Sequence, residues 1–168
     1  SWHHVVFTRD HISQVCKIYV DGVLNDTDTS APGIVGNAFT RIGSMMDTDG
    51  THTYFNGYLD ELKTFSTILT DSEVESIYTN ESAKNNYDGN PRVPIICPNQ
   101  LLAEYRLDEC VWDGTTDEVV DSSGNGYHAT AKNGVLTESS VDSGGGTCLS
   151  GKFDGSNDYV EIGQFPDV

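Results

Sequence analysis

The chain has 168 residues and carries 26 acidic against 9 basic side chains, a formal net charge of −17. That balance excludes a nucleic-acid binder, because neutralising phosphates needs a basic patch, and it argues against docking on anionic lipid. The length suits one ordinary domain with an adequate core.

Taken in chain order, residues 2–8 alternate so that Trp2, His4 and Val6 share one face and His3, Val5 and Phe7 the other. Both faces are partly apolar, as in a strand buried on two sides. Val15–Val20 is a second strand, Asp21-Gly22 a hairpin turn, and Val23-Leu24 the start of the return strand. Residues 25–36, with Pro32 and Gly33, read as loop. A short strand is expected over 39–44, a polar loop around Gly50 over 47–53, and a long strand over 54–65, interrupted at Gly57. Thr70-Asp71-Ser72-Glu73 is a capping box, followed by Val74, Ile77 and Tyr78 on one face of a short helix that ends by Asn80. Residues 80–100, with Pro91, Pro94 and Pro98, have linker composition. Beyond it, strands are expected over 101–107, 127–131 and 152–162, the last broken by Gly155-Ser156-Asn157-Asp158. Turns are expected at 113–117 and 121–126, a brief extended piece at Val119-Val120, and a Ser/Gly loop at 138–146. Many short strands with Gly-rich turns argue for an antiparallel sandwich.

No apolar run reaches membrane-spanning length. The chain opens inside a strand, so the want of a signal peptide is uninformative. Four cysteines in an acidic, Gly-rich β sequence fit an oxidising compartment. Cys110 and Cys148 both lie in the second half, which favours their pairing, worth roughly 4 kcal/mol by chain entropy. Cys16 is then left to Cys97, or to no partner within these residues.

Two sets of motifs carry a resemblance. The first is Trp2-His3-His4-Val5-Val6-Phe7-Thr8, Lys17-Ile18-Tyr19-Val20-Asp21-Gly22, Gly57-Tyr58-Leu59-Asp60-Glu61-Leu62 and Leu69-Thr70-Asp71-Ser72-Glu73-Val74. It resembles the end of a laminin-G-like (LamG-like) domain, a jelly-roll of the concanavalin A-like superfamily. The second is Ala103-Glu104-Tyr105-Arg106-Leu107-Asp108-Glu109, Asp121-Ser122-Ser123-Gly124-Asn125-Gly126 and Phe153-Asp154-Gly155-Ser156-Asn157-Asp158-Tyr159-Val160. It resembles the start of such a domain. Residues 101–110 with the Gly-Thr-Cys at 146–148 are also similar to repeats of bacterial surface proteins of the MSHA biogenesis (MshQ) type. The resemblance implies an all-β antiparallel jelly-roll sandwich with one short helix and its halves in permuted order. Residues 1–79 would be the C-terminal half, 80–100 a linker and 101–168 the N-terminal half. The family's central strands, between Gly163 and Trp2 in that order, are absent. An open sheet edge would then need covering by another chain.

Asp121 to Gly126 offers a carboxylate, an amide oxygen on Asn125 and backbone carbonyls, the hard oxygens Ca²⁺ takes. The resemblance adds Asp60 as a further ligand, so that the ion would join the halves. The plain alternatives are an Asx turn for Asp121 and Asn125 and a buried, amide-satisfied carboxylate for Asp60. Sugars need aromatic platforms and polar oxygens. Trp112, Tyr54, Tyr58, Asp47, Asp49 and His52 lie in or beside loops and fit that need, with Trp112 expected to be exposed. Asp60-Glu61 and Asp108-Glu109 are adjacent pairs that diverge on a strand, so they cannot flank one glycosidic bond at the ~5–9 Å that hydrolysis uses. No nucleophile elbow is present.

The expectation is therefore a non-catalytic module of a surface repeat protein, extracellular or on a bacterial cell surface, that recognises a glycan or surface protein and is stabilised by Ca²⁺. Partners would include other copies or neighbouring repeats, with no nucleic acid and no membrane insertion. The rivals are a purely structural repeat in a fibre or stalk, and an accessory carbohydrate-binding module of a polysaccharide-degrading enzyme.

Overall fold

The computed structural model describes residues 1–10, 12–29, 40–46, 50–83, 101–138, 149–163 and 165. The described residues fall into two compact units, each taken by itself below.

The first unit holds β1 (Val5–Asp10), β2 (Val15–Val20) and β3 (Val23–Asp28), paired antiparallel in that order, and α1 (Asp71–Ser82). Asp21 and Gly22 both take positive φ, 51° and 79°, which is the twist a two-residue hairpin needs. β3 extends to Asp28, past the Asn25 loop boundary expected from polarity, because its ladder to β2 continues through a register shift at Ile18/Tyr19. All six of its residues are exposed, so pairing rather than burial decides the strand. β1 is buried on one side only. Val5 and Phe7 are exposed at 49% and 76%, whereas Thr8 and the β2 residue Tyr19 are buried. The strand also begins at Val5, leaving Trp2 outside it.

α1 forms as its capping box requires. Glu73 N–H donates to Thr70 Oγ1 at 3.3 Å, and Thr70 N–H donates to Glu73 Oε2 at 2.7 Å. The Thr70 amide holds the Glu73 carboxyl below its usual range. Val74 and Ile77 are its buried pair, as their spacing predicts. The Tyr19 hydroxyl donates to Asp71 Oδ1 at 2.7 Å, fixing the helix start against β2.

The second unit carries β4 (Arg41–Ile42), β5 (Ser44–Met46), β6 (His52–Tyr54), β7 (Asn56–Leu59), β8 (Leu62–Phe65), β9 (Leu101–Tyr105), β10 (Ala129–Lys132), β11 (Leu136–Glu138), β12 (Ser150–Asp154) and β13 (Tyr159–Ile162). One sheet runs β10-β13-β4, another β11-β12-β7, with two-stranded pairs β5-β6 and β8-β9. Strands of residues 40–64 thus pair with strands of 101–162: Ile42 opposite Val160, Gly57 opposite Phe153, and β8 beside β9. The long strand expected over 54–65 is broken twice, at Phe55 and at residues 60–61, where Glu61 takes a left-handed φ of 52°; Gly57, the interruption expected from sequence, lies within β7 opposite Phe153.

Alternate residues of these strands build one core: Ile42, Ala103, Tyr105, Ala129, Ala131, Phe153, Val160 and Ile162, with Leu107, Trp112, Val119 and Val135 from the segments between strands. Gly43 (φ 83°) passes directly over the Phe153 ring, where any Cβ would overlap it. The second unit is thus built of β-sheets around one core, and the one helix among the described residues, α1, belongs to the first unit.

Candidate recognition face

Because Ile42 and Val160 point into the core, their strand neighbours Arg41, Tyr159 and Glu161 lie on the opposite face of the β10-β13-β4 sheet. Arg41 is half-buried, with its guanidinium carbon 4.3 Å from the centroid of the Tyr159 ring. Its Nη1 lies 3.5 Å from His52 Nδ1, and Ser44 Oγ lies 3.4 Å from the same nitrogen. The His52 ring stacks on Tyr54, centroids 6.0 Å apart at 24°. Tyr54, His52, Arg41 and Tyr159 therefore form one continuous row of flat groups, each half-buried. Of these, Tyr54 and His52 were legible as loop-flanking aromatics; Arg41 and Tyr159 were missed, because only the sheet register brings them to the row.

Tyr58, on β7, is 42% exposed but already engaged. Its hydroxyl donates to Glu138 Oε2 at 3.1 Å, and Lys152 Nζ reaches the same oxygen at 2.7 Å. Those groups satisfy one another and leave less for a ligand. Trp112 departs from its expected exposure. It is only 4% exposed, packed in the core, and its indole N–H donates to Glu109 Oε2 at 3.1 Å. A ring of that area in a turn beside the sheet gains more from burial than a solvated platform would. Asp47 and Asp49 lie outside the described residues.

The loop nominated for calcium takes the other form the sequence allows. Asp121 Oδ1 accepts the Glu104 and Ser123 amides at 3.0 and 2.9 Å, and Oδ2 accepts the Tyr127 amide and the Ser123 hydroxyl, both at 2.9 Å. Burial pushes this carboxyl up, but the four donors outweigh it and hold it below its usual range. Asn125 Nδ2 donates to the carbonyls of Leu101 and Leu102, at 3.0 Å each. Asn125 thus ties the loop to β9 through its NH₂ group, and the lone pairs of Asp121 face N–H and O–H groups. Asp60 is half-buried between β7 and β8. Among the described residues no three His, Cys, Asp or Glu side chains are grouped to hold an ion. The residues do not fit a calcium site centred on Asp121; the loop is a buried carboxylate cradled by amides.

Elsewhere on β8 and β9, Lys63 Nζ lies 3.2 Å from Glu61 and 3.5 Å from Glu104, whose side chain is 3% exposed. The Lys63–Glu104 pair crosses between two strands. Cys16 is half-buried on β2 and Cys110 is exposed, both as free thiols; Cys97 and Cys148 lie outside the described residues.

The fold and the row of flat groups meet a finding from comparison. Residues 1–75 match a family model, Laminin_G_3, of the concanavalin A-like lectin/glucanases superfamily. This stretch is laminin-G-like. No curated protein and no solved structure matches the chain, so the narrower likeness to MshQ-type repeats has no match behind it. The laminin-G-like stretch contributes β1 to β8 and the start of α1, and hence Arg41, His52 and Tyr54 of the row.

Proposed function

We propose that the chain is a non-catalytic, extracellular recognition and adhesion module that binds a glycan on the Tyr54–His52–Arg41–Tyr159 face. One observation carries the reading. A stacked, half-buried aromatic pair on β6 is flanked by the Ser44 hydroxyl and the Arg41 guanidinium. A pyranose binds such a surface through its apolar C–H face, with hydroxyls on the flanking polar groups. The charge of −17 and the cysteine content fit an oxidising, extracellular setting. Among the described residues no helix is long and apolar enough to cross a membrane. Calcium is not carried into the proposal, because the Asp121 oxygens are already taken.

The experiment is a glycan array with the protein and its Tyr54→Ala variant. Retention of a defined set of glycans, lost in the variant, is the expected result. An array with no retained glycan sinks the reading. A structural-repeat role is the second reading, and one feature favours it. Val5, Phe7 and Val23 are exposed on a single face of β1-β2-β3, in register with Val20 and Ile18. A neighbouring repeat would bury that face. Concentration-dependent assembly of protein that retains no glycan is the result that selects it.

A further inference from the structure

We propose that Arg41 makes this face selective for glycans that end in a single carboxylate-bearing sugar. The proposal rests on the sugar-recognition reading of the same face and names its ligand class. The key observation is how Arg41 is held. Lys17, Lys63, Arg106, Lys132 and Lys152 each lie within 4.0 Å of a carboxylate. In a chain with 26 acids and 9 bases that is the expected fate of a cation. Arg41 differs: among the described residues no carboxylate pairs with it. Its register partner Glu161 is turned to Lys132, 3.6 Å away. A phenol ring and an imidazole hold the guanidinium instead.

That mode of holding leaves chemistry unused. The contact with the Tyr159 ring is made by the cation's charge and consumes none of its N–H donors. With one edge nitrogen near His52, the remaining donors suit a planar carboxylate taken in bidentate fashion. The His52 ring beside Nη1 stacks in turn on Tyr54, centroids 6.0 Å apart. A sugar ring on Tyr54 and His52 thus brings a carboxylate on the same or adjacent sugar to Arg41. The protein's field sets the other limit. A net charge of −17 repels a polyanion at long range. A glycan with one terminal acid meets the local cation without facing that repulsion along its length.

The test pairs neutral oligosaccharides with the same chains bearing one terminal acidic sugar, such as lactose with 3′-sialyllactose and its glucuronyl counterpart. Polygalacturonate is the polyanionic arm. Affinities are measured at physiological salt for the whole chain, Arg41→Gln and Arg41→Lys. The acidic member should bind about tenfold or more tightly than its neutral partner. Arg41→Gln should lose about 10- to 100-fold on the acidic member, as expected for a charge-assisted contact, and clearly less on the neutral member, so that the preference for the acid collapses. Arg41→Lys keeps the charge without the fork and should fall between; it carries the test if Arg41→Gln does not melt cooperatively. Equal binding of acidic and neutral members, with Arg41→Gln silent and Tyr54→Ala inactive, overturns the acid selectivity and leaves glycan recognition standing. Tighter binding of polygalacturonate than of any single-acid oligosaccharide also overturns it. Failure of every glycan removes the recognition reading together with this one.

Discussion

Replacing Asp121 by Asn tests the cradle at its centre. The Asn amide keeps one oxygen for the Glu104 and Ser123 amides but presents an NH₂ where Oδ2 had accepted the Tyr127 amide and the Ser123 hydroxyl. The serine hydroxyl can rotate to accept. The Tyr127 N–H cannot, and a buried donor left without an acceptor costs about 1–3 kcal/mol. The two bonds that survive lose their charge assistance, about 1 kcal/mol each. Allowing for non-additivity, Asp121→Asn should destabilise by about 3 kcal/mol, a large share of the ~5–15 kcal/mol typical of a domain. The pH dependence follows from the depressed carboxyl. The contribution is complete above the unfolded Asp value of about 3.9 and is lost as pH falls through the lower folded value. The variant should therefore show a shallower acid limb. Urea unfolding from pH 7 to pH 2, with added calcium or EDTA, measures both. Calcium should leave the wild-type midpoint unchanged. A variant within ~0.5 kcal/mol of wild type, or a midpoint that rises with calcium and falls with EDTA, refutes the cradle.

Gly43→Ala should destabilise by about 2–4 kcal/mol, since the backbone is left-handed there and the new methyl overlaps the Phe153 ring; a thermal melt reads it, and a neutral result contradicts that packing. Thr70→Ala should cost about 1 kcal/mol through loss of the capping box, read by far-UV circular dichroism on heating. In oxidised material, on the extracellular reading, Cys110 should be bridged to Cys148; non-reducing peptide mapping decides it, and recovery of both as free thiols counts against that reading.

The sequence made local rules easy to read and long-range ones hard. The Thr70–Glu73 box, the Asp21-Gly22 turn and the helix pair Val74 and Ile77 depend on neighbours within four residues, and all are found as expected. The Asp121 loop was read with two outcomes open, because a carboxylate beside glycine turns serves an ion or amides equally well until its donors are placed. Trp112 went wrong for a related reason: a turn position suggested exposure, but the turn lies on the core. β1 also looked two-sided from its apolar residues, yet only one side has anything packed on it among the described residues. The Arg41–Tyr159 contact joins residues 118 apart, through β4 pairing with β13, and no local pattern announces it.

The most direct measurement is a backbone and side-chain NMR titration of the labelled chain with a glycan retained on the array. Shift changes should gather on Arg41, Ser44, His52, Tyr54 and Tyr159, with Tyr58 and the Asp121 loop unmoved. Changes centred on Tyr58, Lys152 and Glu138, or spread without focus, would contradict the assignment of this face as the binding surface.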